Sequence, residues 1–252
     1  MTEMKAKASF WEATGRKKIT SHHREAAIGS YRYNYTKYLP ASKDSLIVDL
    51  GCSDGISLQW LAGEGYRNVV GVDSDEVAIA KAGEWIGQGI PQVRLYAMDI
   101  VDFVKGLEVG SVDVFLMMNV IEHINKKTLL ALIEAIREKL RPEGILIAQT
   151  GNIENPMNFG LFARDFTHEI PFTANSLRQL MNLCGFDHAG VHVNPLRYRL
   201  TVKNCPLWVS SKVCGISLKL FALAMRIRID ITSPMMYCLA KKRPVNSRVV
   251  LE

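Results

Sequence analysis

The feature that most constrains this chain is an alternation of short apolar runs with helical patterns between residues 45 and 149. Residues 45–50 (SLIVDL) and 69–73 (VVGVD) are apolar runs of strand length, and 56–62 and 75–85 behind them carry helical patterns. Residues 92–97, 112–118 and 145–149 are further strand candidates. Residues 127–140 set Leu129, Leu132, Ile133, Ile136 and Leu140 at spacings of three and four, which is one face of a helix, and Arg141-Pro142-Glu143-Gly144 stops it. Strands that alternate with helices predict a parallel sheet covered on both faces. Ahead of this unit, 22–38 reads as a helix that must end before Pro40. Behind it, 174–184 reads as a helix stopped by Gly185, 189–193 and 235–240 as strands, and 210–227 as a helical insertion.

Composition narrows the class. At roughly 100–200 residues per domain, 252 residues make one large domain or two small ones. With 48% hydrophobic and 22% charged residues, the chain is neither disordered nor fibrous. Its five cysteines are odd in number and form no C-x-x-C pair, so a reducing compartment is expected. Residues 1–10 carry lysines but no following apolar stretch, which argues against a secretory signal. The most apolar segment, 213–225, is broken by Lys219 and is shorter than the roughly 20 residues that span a bilayer. The expected location is cytoplasmic, with peripheral attachment at the inner face of a membrane left open.

Gly51-Cys52-Ser53-Asp54-Gly55 stands between a predicted strand and a predicted helix. In parallel sheets ligands bind at the carboxyl ends of strands, where glycines let a ligand approach the backbone closely. The next strand ends in Asp73, a placement suited to gripping two ribose hydroxyls, and Asp99 follows the third, where it can accept from an adenine amino group. Loop, acid and acid on successive strand ends make a nucleoside site. A dinucleotide fingerprint fails, because G-x-G-x-x-G does not fit this spacing. Gly51-x-Ser53-x-Gly55 does match the nucleophile elbow of α/β-hydrolases, but no earlier strand supplies an oxyanion loop and the elbow gives Asp73 no purpose.

Taken in order, Val48-Asp49-Leu50-Gly51-Cys52-Ser53-Asp54-Gly55, Gly71-Val72-Asp73 and Met98-Asp99-Ile100 resemble the class I S-adenosylmethionine-dependent methyltransferases. Val112-Asp113-Val114, Asn119 to Ile124 and Leu140 to Leu146 continue the resemblance, while Ser53 stands where glycine is commoner. The resemblance implies a Rossmann-like, seven-stranded, mostly parallel sheet with helices on both faces, its last strand antiparallel. It also implies S-adenosyl-L-methionine as cofactor, with Gly51, Ser53 and Gly55 along the methionine moiety and Asp49 just ahead of them. Asp73 would then meet the ribose, Asp99 and Ile100 the adenine, and Asn119 the region of the methyl group. Asn155-Pro156, Arg164 to Glu169, Phe172 to Leu177 and Gly185-Phe186 resemble a subgroup from surface-polysaccharide biosynthesis that methylates sugars.

An O-methyltransferase acting on a sugar hydroxyl needs alignment and a proton acceptor. His123 and His168 are the candidate catalytic bases, with Glu122, Asp165 and Glu169 as orienting or metal-binding partners. Either histidine also has a bland role, as a helix cap or a packed loop residue. The resemblance also offers an alternative in which Glu122-His123 binds a divalent cation that lowers the acceptor's pKa, as in some related methyltransferases, but one acid and one histidine are not a metal signature, so no metal is expected. Arg32, Tyr33 and Tyr35 form a candidate lid over the cofactor or part of the core, and His22 and His23 receive no role. The alternatives are an O-methyltransferase of a small phenolic or natural-product hydroxyl, a hydrolase using Ser53, and a silent cofactor-binding protein.

Charge is concentrated late. From residue 201 onward, nine basic residues face Asp230 and Glu252, a balance of +7 against +6 for the whole chain. Val209, Val213, Ile216, Leu220, Leu223 and Ile227 form one helical stripe flanked by Lys212, Lys219 and Arg226. That pattern suits a membrane surface, and equally a homodimer helix or a lid packed on the sheet. Nucleic acid is not an expected partner, since no aromatic-basic interleaving appears. The expected organisation is a helical lead-in or lid over 1–40, then a catalytic unit over 41–252 with the insertion at about 195–233.

Overall fold

A computed structural model describes residues 20–86, 93–198 and 205–243. The expectations for residues 1–19 lie outside the described residues. The elements run α1 (Ser21–Tyr35), β1 (Ile47–Leu50), α2 (Ile56–Gly63), β2 (Val69–Asp73), α3 (Glu76–Ile86), β3 (Val93–Ala97) and α4 (Ile100–Gly106). They continue with β4 (Val112–Met118), α5 (Lys126–Lys139), β5 (Leu140–Gly151), α6 (Pro156–Arg164), α7 (Ala174–Leu183), β6 (Val191–Pro195), α8 (Cys205–Ala224) and β7 (Met235–Lys241).

The seven strands form one sheet in the order β3-β2-β1-β4-β5-β7-β6. β1 to β5 pair in parallel, and β7 runs antiparallel between β5 and β6. The chain leaves β1 toward β2 and β3, then returns to β4 on the other side of β1. This reversal opens a crevice at the carboxyl ends of β1 and β4.

Each strand residue alternates between two cores. Val48, Leu50, Phe115 and Met117 face α5 and α7, against Leu129, Leu132 and Leu177. Ile47, Val114 and Leu116 face α1 and α2, against Tyr35, Leu58 and Trp60. α1 therefore belongs to the core, with the Tyr31, Tyr35 and Trp60 rings 5.7–6.1 Å apart. This corrects the lid reading of Tyr35, which is fully buried and donates to Gln149 Oε1 at 2.5 Å. Arg32 pairs instead with Glu64 at 2.5 Å.

Two helices escaped the pattern. α4 is only two turns long, too short for periodicity to show. α6 turns Met157, Phe159 and Leu161 outward, so its apolar residues do not trace a buried face. Its legible signal was the Asn155 cap ahead of Pro156.

α8 begins five residues before the helix read over 210–227 and lies within the insertion expected at about 195–233. In the stripe from Val209 to Ile227, Val213, Ile216, Leu220 and Leu223 are all more than half exposed among the described residues. Ala222 is its buried residue among those described, and a Cβ at Gly215 would stand 2.9 Å from Thr232 Oγ1. None of the described helices is long and apolar enough to cross a membrane.

Candidate active site

The loop after β1 is built from left-handed backbone. Gly51 and Gly55 take φ +76° and +78°, and Ser53 takes +49°. A Cβ at Gly51 would stand 2.5 Å from Val120 Cγ2, so the loop presses directly on the segment after β4. Ser53 thus occupies backbone that glycine adopts more easily, which accounts for the commoner residue there. Its N–H donates to Asp73 Oδ2 at 2.9 Å, tying the loop to the end of β2.

This loop, Asp73, Asp99 and Asn119 line one cleft of about 540 Å³, of the size that ligand clefts have. Asp49 and Ile100 also line it. Gly55 does not; it lies behind the loop, capping α2 against Ala82 and Ile86. Asp73 spends one lone pair of each oxygen on backbone N–H groups, those of Ser53 and Asp75. Asp99 caps α4, with Oδ1 accepting from Val101 and Asp102. Each carboxylate keeps capacity for a ligand.

Asp49 is buried, and Ser57 Oγ donates to its Oδ2. Its Oδ1 has no partner among the described residues. Burial pushes its carboxyl up to about 7, opposed by the Ser57 hydrogen bond and reinforced by Asp73. A buried polar atom left unbonded is costly, and here it borders the cleft. An amino group arriving there would satisfy it. The glycine cradle and the orphaned acid together fit an amino-acid-bearing nucleoside.

Sequence reasoning missed the wall opposite. Arg24 on α1 pairs with Asp54 at 2.6 Å, both side chains largely buried, and donates to the Asp54 carbonyl and to Gln59. Its guanidinium lies 4.4 Å from the Trp85 ring centre. Tyr31, rather than Tyr33 or Tyr35, is the α1 aromatic that lines the cleft. Asn119, at φ +58°, accepts from Gln149 Nε2 at 3.1 Å, extending a chain Tyr35–Gln149–Asn119 from the core to the cleft. A buried glutamine late in an apolar strand was the available signal for this chain.

Beside the cleft lies a smaller cavity of about 210 Å³, sharing Asn119 and His123 with it. Glu122, His168, Phe162, Asn158 and Thr150 complete the part that matters here. The N–H groups of Glu169 and Ile170 both donate to the Glu122 carbonyl, at 2.7 and 3.1 Å. The loop after α6 is thereby laid against the loop after β4, and the His123 and His168 rings come to 4.6 Å between centres. Asp165 orients His123 through Thr167, whose hydroxyl donates to Asp165 Oδ1 at 2.6 Å and meets His123 Nδ1 at 2.8 Å. Glu169 lies on the wall of the larger cleft.

The hydrolase alternative finds no support. Ser53 Oγ is buried with no hydrogen-bond partner among the described residues, whereas a nucleophilic serine needs an adjacent base.

Residues 47–144 match the family described as a methyltransferase domain. No curated protein matches the chain. The chain is similar to a SAM dependent methyltransferase from Archaeoglobus fulgidus, with TM-score 0.66 and 19% identity over 87% of this chain and 94% of that one. It is similar to phosphoethanolamine N-methyltransferase 2 of Haemonchus contortus in complex with S-adenosyl-L-methionine, with TM-score 0.60 and 16% identity over 94% of this chain and 60% of that one. It is also similar to the CurJ carbon methyltransferase, with TM-score 0.58 and 14% identity over 92% of this chain and 58% of that one. By name, one relative acts on nitrogen and another on carbon, so the shared fold leaves the acceptor atom open. Residues 47–144 thus carry a methyltransferase domain, set in the fold shared with S-adenosylmethionine-dependent methyltransferases.

Proposed function

We propose that the protein is an O-methyltransferase whose acceptor is a sugar hydroxyl of a surface or lipid-linked polysaccharide. The observation that carries this reading is the pair of histidines beside Glu122, in a cavity that opens off the cofactor cleft. A neutral amine brings its own lone pair to a methyl donor, but a hydroxyl is a weak acid and must be activated. Two convergent imidazoles are therefore better suited to oxygen than to nitrogen.

When bound, S-adenosylmethionine supplies a methyl group on a sulfonium: the new O–C bond forms as the C–S bond breaks, its electron pair stays on sulfur, and the hydroxyl proton is released. On this reading Gly51, Ser53, Gly55 and Asp49 hold or shape the amino-acid end, Asp73 the ribose, and Asp99 with Ile100 the base. Asn119, fixed by Gln149, stands between cofactor and acceptor. His123 and His168 activate the acceptor oxygen. Phe162 offers an apolar ring face and Asn158 and Thr150 offer polar groups, a mixture that suits a sugar ring. The Asn155 to Phe186 resemblance supports the same acceptor class.

α8 supports a membrane-bound glycan. Its exposed apolar stripe flanked by Lys212, Lys219 and Arg226 has the composition of a helix lying in an anionic lipid surface. A second copy of the chain is the competing occupant.

The test is methyl transfer from labelled S-adenosylmethionine to a panel of free sugars, nucleotide sugars, lipid-linked glycans and catechols. Label in a glycan, lost in His168→Ala, is the expected result. Label confined to catechols would replace the sugar reading with the phenolic one.

A further inference from the structure

We propose that a groove between α1, the end of β6, α8 and the segment before β7 binds the diphosphate of a sugar diphosphate ester. That this molecule is the methyl acceptor rests on the O-methyltransferase reading; the anion site itself does not.

The groove has a volume of about 810 Å³, more than that of the cofactor cleft. Gly151, which ends β5, pairs with Met235, which begins β7, and Pro195, which ends β6, pairs with Met236. The residues just before Met235 therefore sit on the same carboxyl edge of the sheet as the cofactor cleft, beyond β5. Residues 230–234 line the groove, and Met235 lines the small cavity that holds His168. One short segment thus borders both. A ligand on this edge can keep a sugar in the cavity and its phosphates in the groove.

Arg197, Lys212 and Lys219 line the groove, and among the described residues none of the three has an ion-pair partner. The groove's carboxylate, Asp230, is already held by Arg178 and Arg228, each at 3.1 Å. Cations that no carboxylate compensates call for an anion. Lys212 and Lys219 stand two turns apart, about 10.5 Å along α8, a span better matched by a diphosphate and its sugar than by a single phosphate. Tyr33, Tyr198 and Trp208 set aromatic rings beside these cations, with Lys212 Nζ 5.3 Å from the Trp208 ring centre. Rings of this kind suit the sugar or base that a diphosphate carries.

The backbone of the groove is fixed. The buried Asn34 side chain accepts from the Arg197 N–H and donates to the Arg197 carbonyl, both at 3.0 Å. The buried Asn152 amide donates to the carbonyls of Ile231 and Ser233 at 2.8 and 3.0 Å, and Asn155 donates to that of Thr232 at 2.7 Å. In a planar trans peptide the N–H points opposite to the carbonyl. The N–H groups of Thr232 and Ser233 are therefore turned away from Asn152 and Asn155, and they have no partner among the described residues. Backbone donors held in place beside cations make an anion-binding concavity. A flat lipid surface would explain two lysines on an exposed helix, but not a third cation, Arg197, clamped on the loop after β6.

The experiment is calorimetric titration of the full chain with inorganic pyrophosphate, with S-adenosylhomocysteine affinity measured on the same samples. We expect one saturable pyrophosphate site, weakened about tenfold or more in Arg197→Gln and in the double variant Lys212→Gln with Lys219→Gln. S-adenosylhomocysteine affinity should stay within about threefold in these variants, which also certifies their fold. A nucleoside diphosphate sugar, and a polyprenyl diphosphate sugar in phosphatidylcholine vesicles, then identify the carrier: the one that binds more tightly than pyrophosphate is the source. Pyrophosphate binding that neither conjugate exceeds would overturn the sugar ester. Absence of pyrophosphate binding in protein that still binds S-adenosylhomocysteine would overturn the site and leave the O-methyltransferase reading standing. Equal pyrophosphate binding in wild type and both variants would also overturn it, by placing the anion elsewhere.

Discussion

At the scale of single residues, the site depends on two that tolerate costly conformations or environments. Ser53 holds a left-handed φ of +49°, which costs an L-residue about 1–2 kcal/mol. Ser53→Gly should therefore keep S-adenosylhomocysteine affinity within about threefold and leave the melting temperature unchanged or higher. Ser53→Val, β-branched at positive φ, should lower stability by about 2 kcal/mol in a denaturant titration. Asp49 makes a pH prediction. Its folded value, about 7, lies above the ordinary carboxyl value, so the folded state holds a proton that the unfolded state has lost. Its contribution to stability is whole below about pH 4 and disappears as pH rises through 7. Urea midpoints of the unliganded protein should fall from pH 5 to pH 8, and Asp49→Asn should flatten that slope. Affinity for S-adenosylhomocysteine should move the opposite way, rising toward pH 8, because an amino group at Asp49 favours the carboxylate. A pH-independent affinity would remove Asp49 from the cofactor's amino end.

At the scale of elements, α1 is the part whose role the sequence disclosed least. Its position could be read, but Arg24 and Tyr31 carry no motif, and only the fold brings them to the β1 loop. The Arg24–Asp54 pair at 2.6 Å clamps the helix start to that loop. Removing one partner of a buried pair leaves the other uncompensated, at a cost of about 3 kcal/mol. Arg24→Ala should lower cofactor affinity more than tenfold and speed hydrogen exchange over residues 21–35, with the exchange of β4 unchanged. The strands were legible because apolar runs bounded by glycine, aspartate and proline are strong local signals. Periodicity disclosed α8's apolar face but not whether that face would be buried, which depends on tertiary packing. Val213→Glu with Leu220→Glu should abolish sedimentation with anionic vesicles while leaving cofactor binding intact. Wild-type protein that stays in the supernatant would end the membrane proposal.

At the scale of the whole molecule, function follows from where the chain reverses direction. β1 lies between β2 and β4, so the Gly51 loop and Asn119 meet at one crevice, although 68 positions (119 minus 51) separate them in sequence. The ordered acids Asp49, Asp73 and Asp99 were legible because each sits just where a strand ends. The second half of the site was legible only as residue types. His123 and His168 were candidates, but their convergence depends on the two N–H groups that Glu169 and Ile170 give to Glu122. Backbone hydrogen bonds between distant loops leave no mark in composition or spacing. The most direct test of the central claim is calorimetric titration of the protein with S-adenosylhomocysteine, alongside Asp73→Ala. The account predicts one site of micromolar affinity in the wild type and its loss in the variant. Folded wild-type protein that takes up no S-adenosylhomocysteine, or a variant that binds it equally well, would contradict the account.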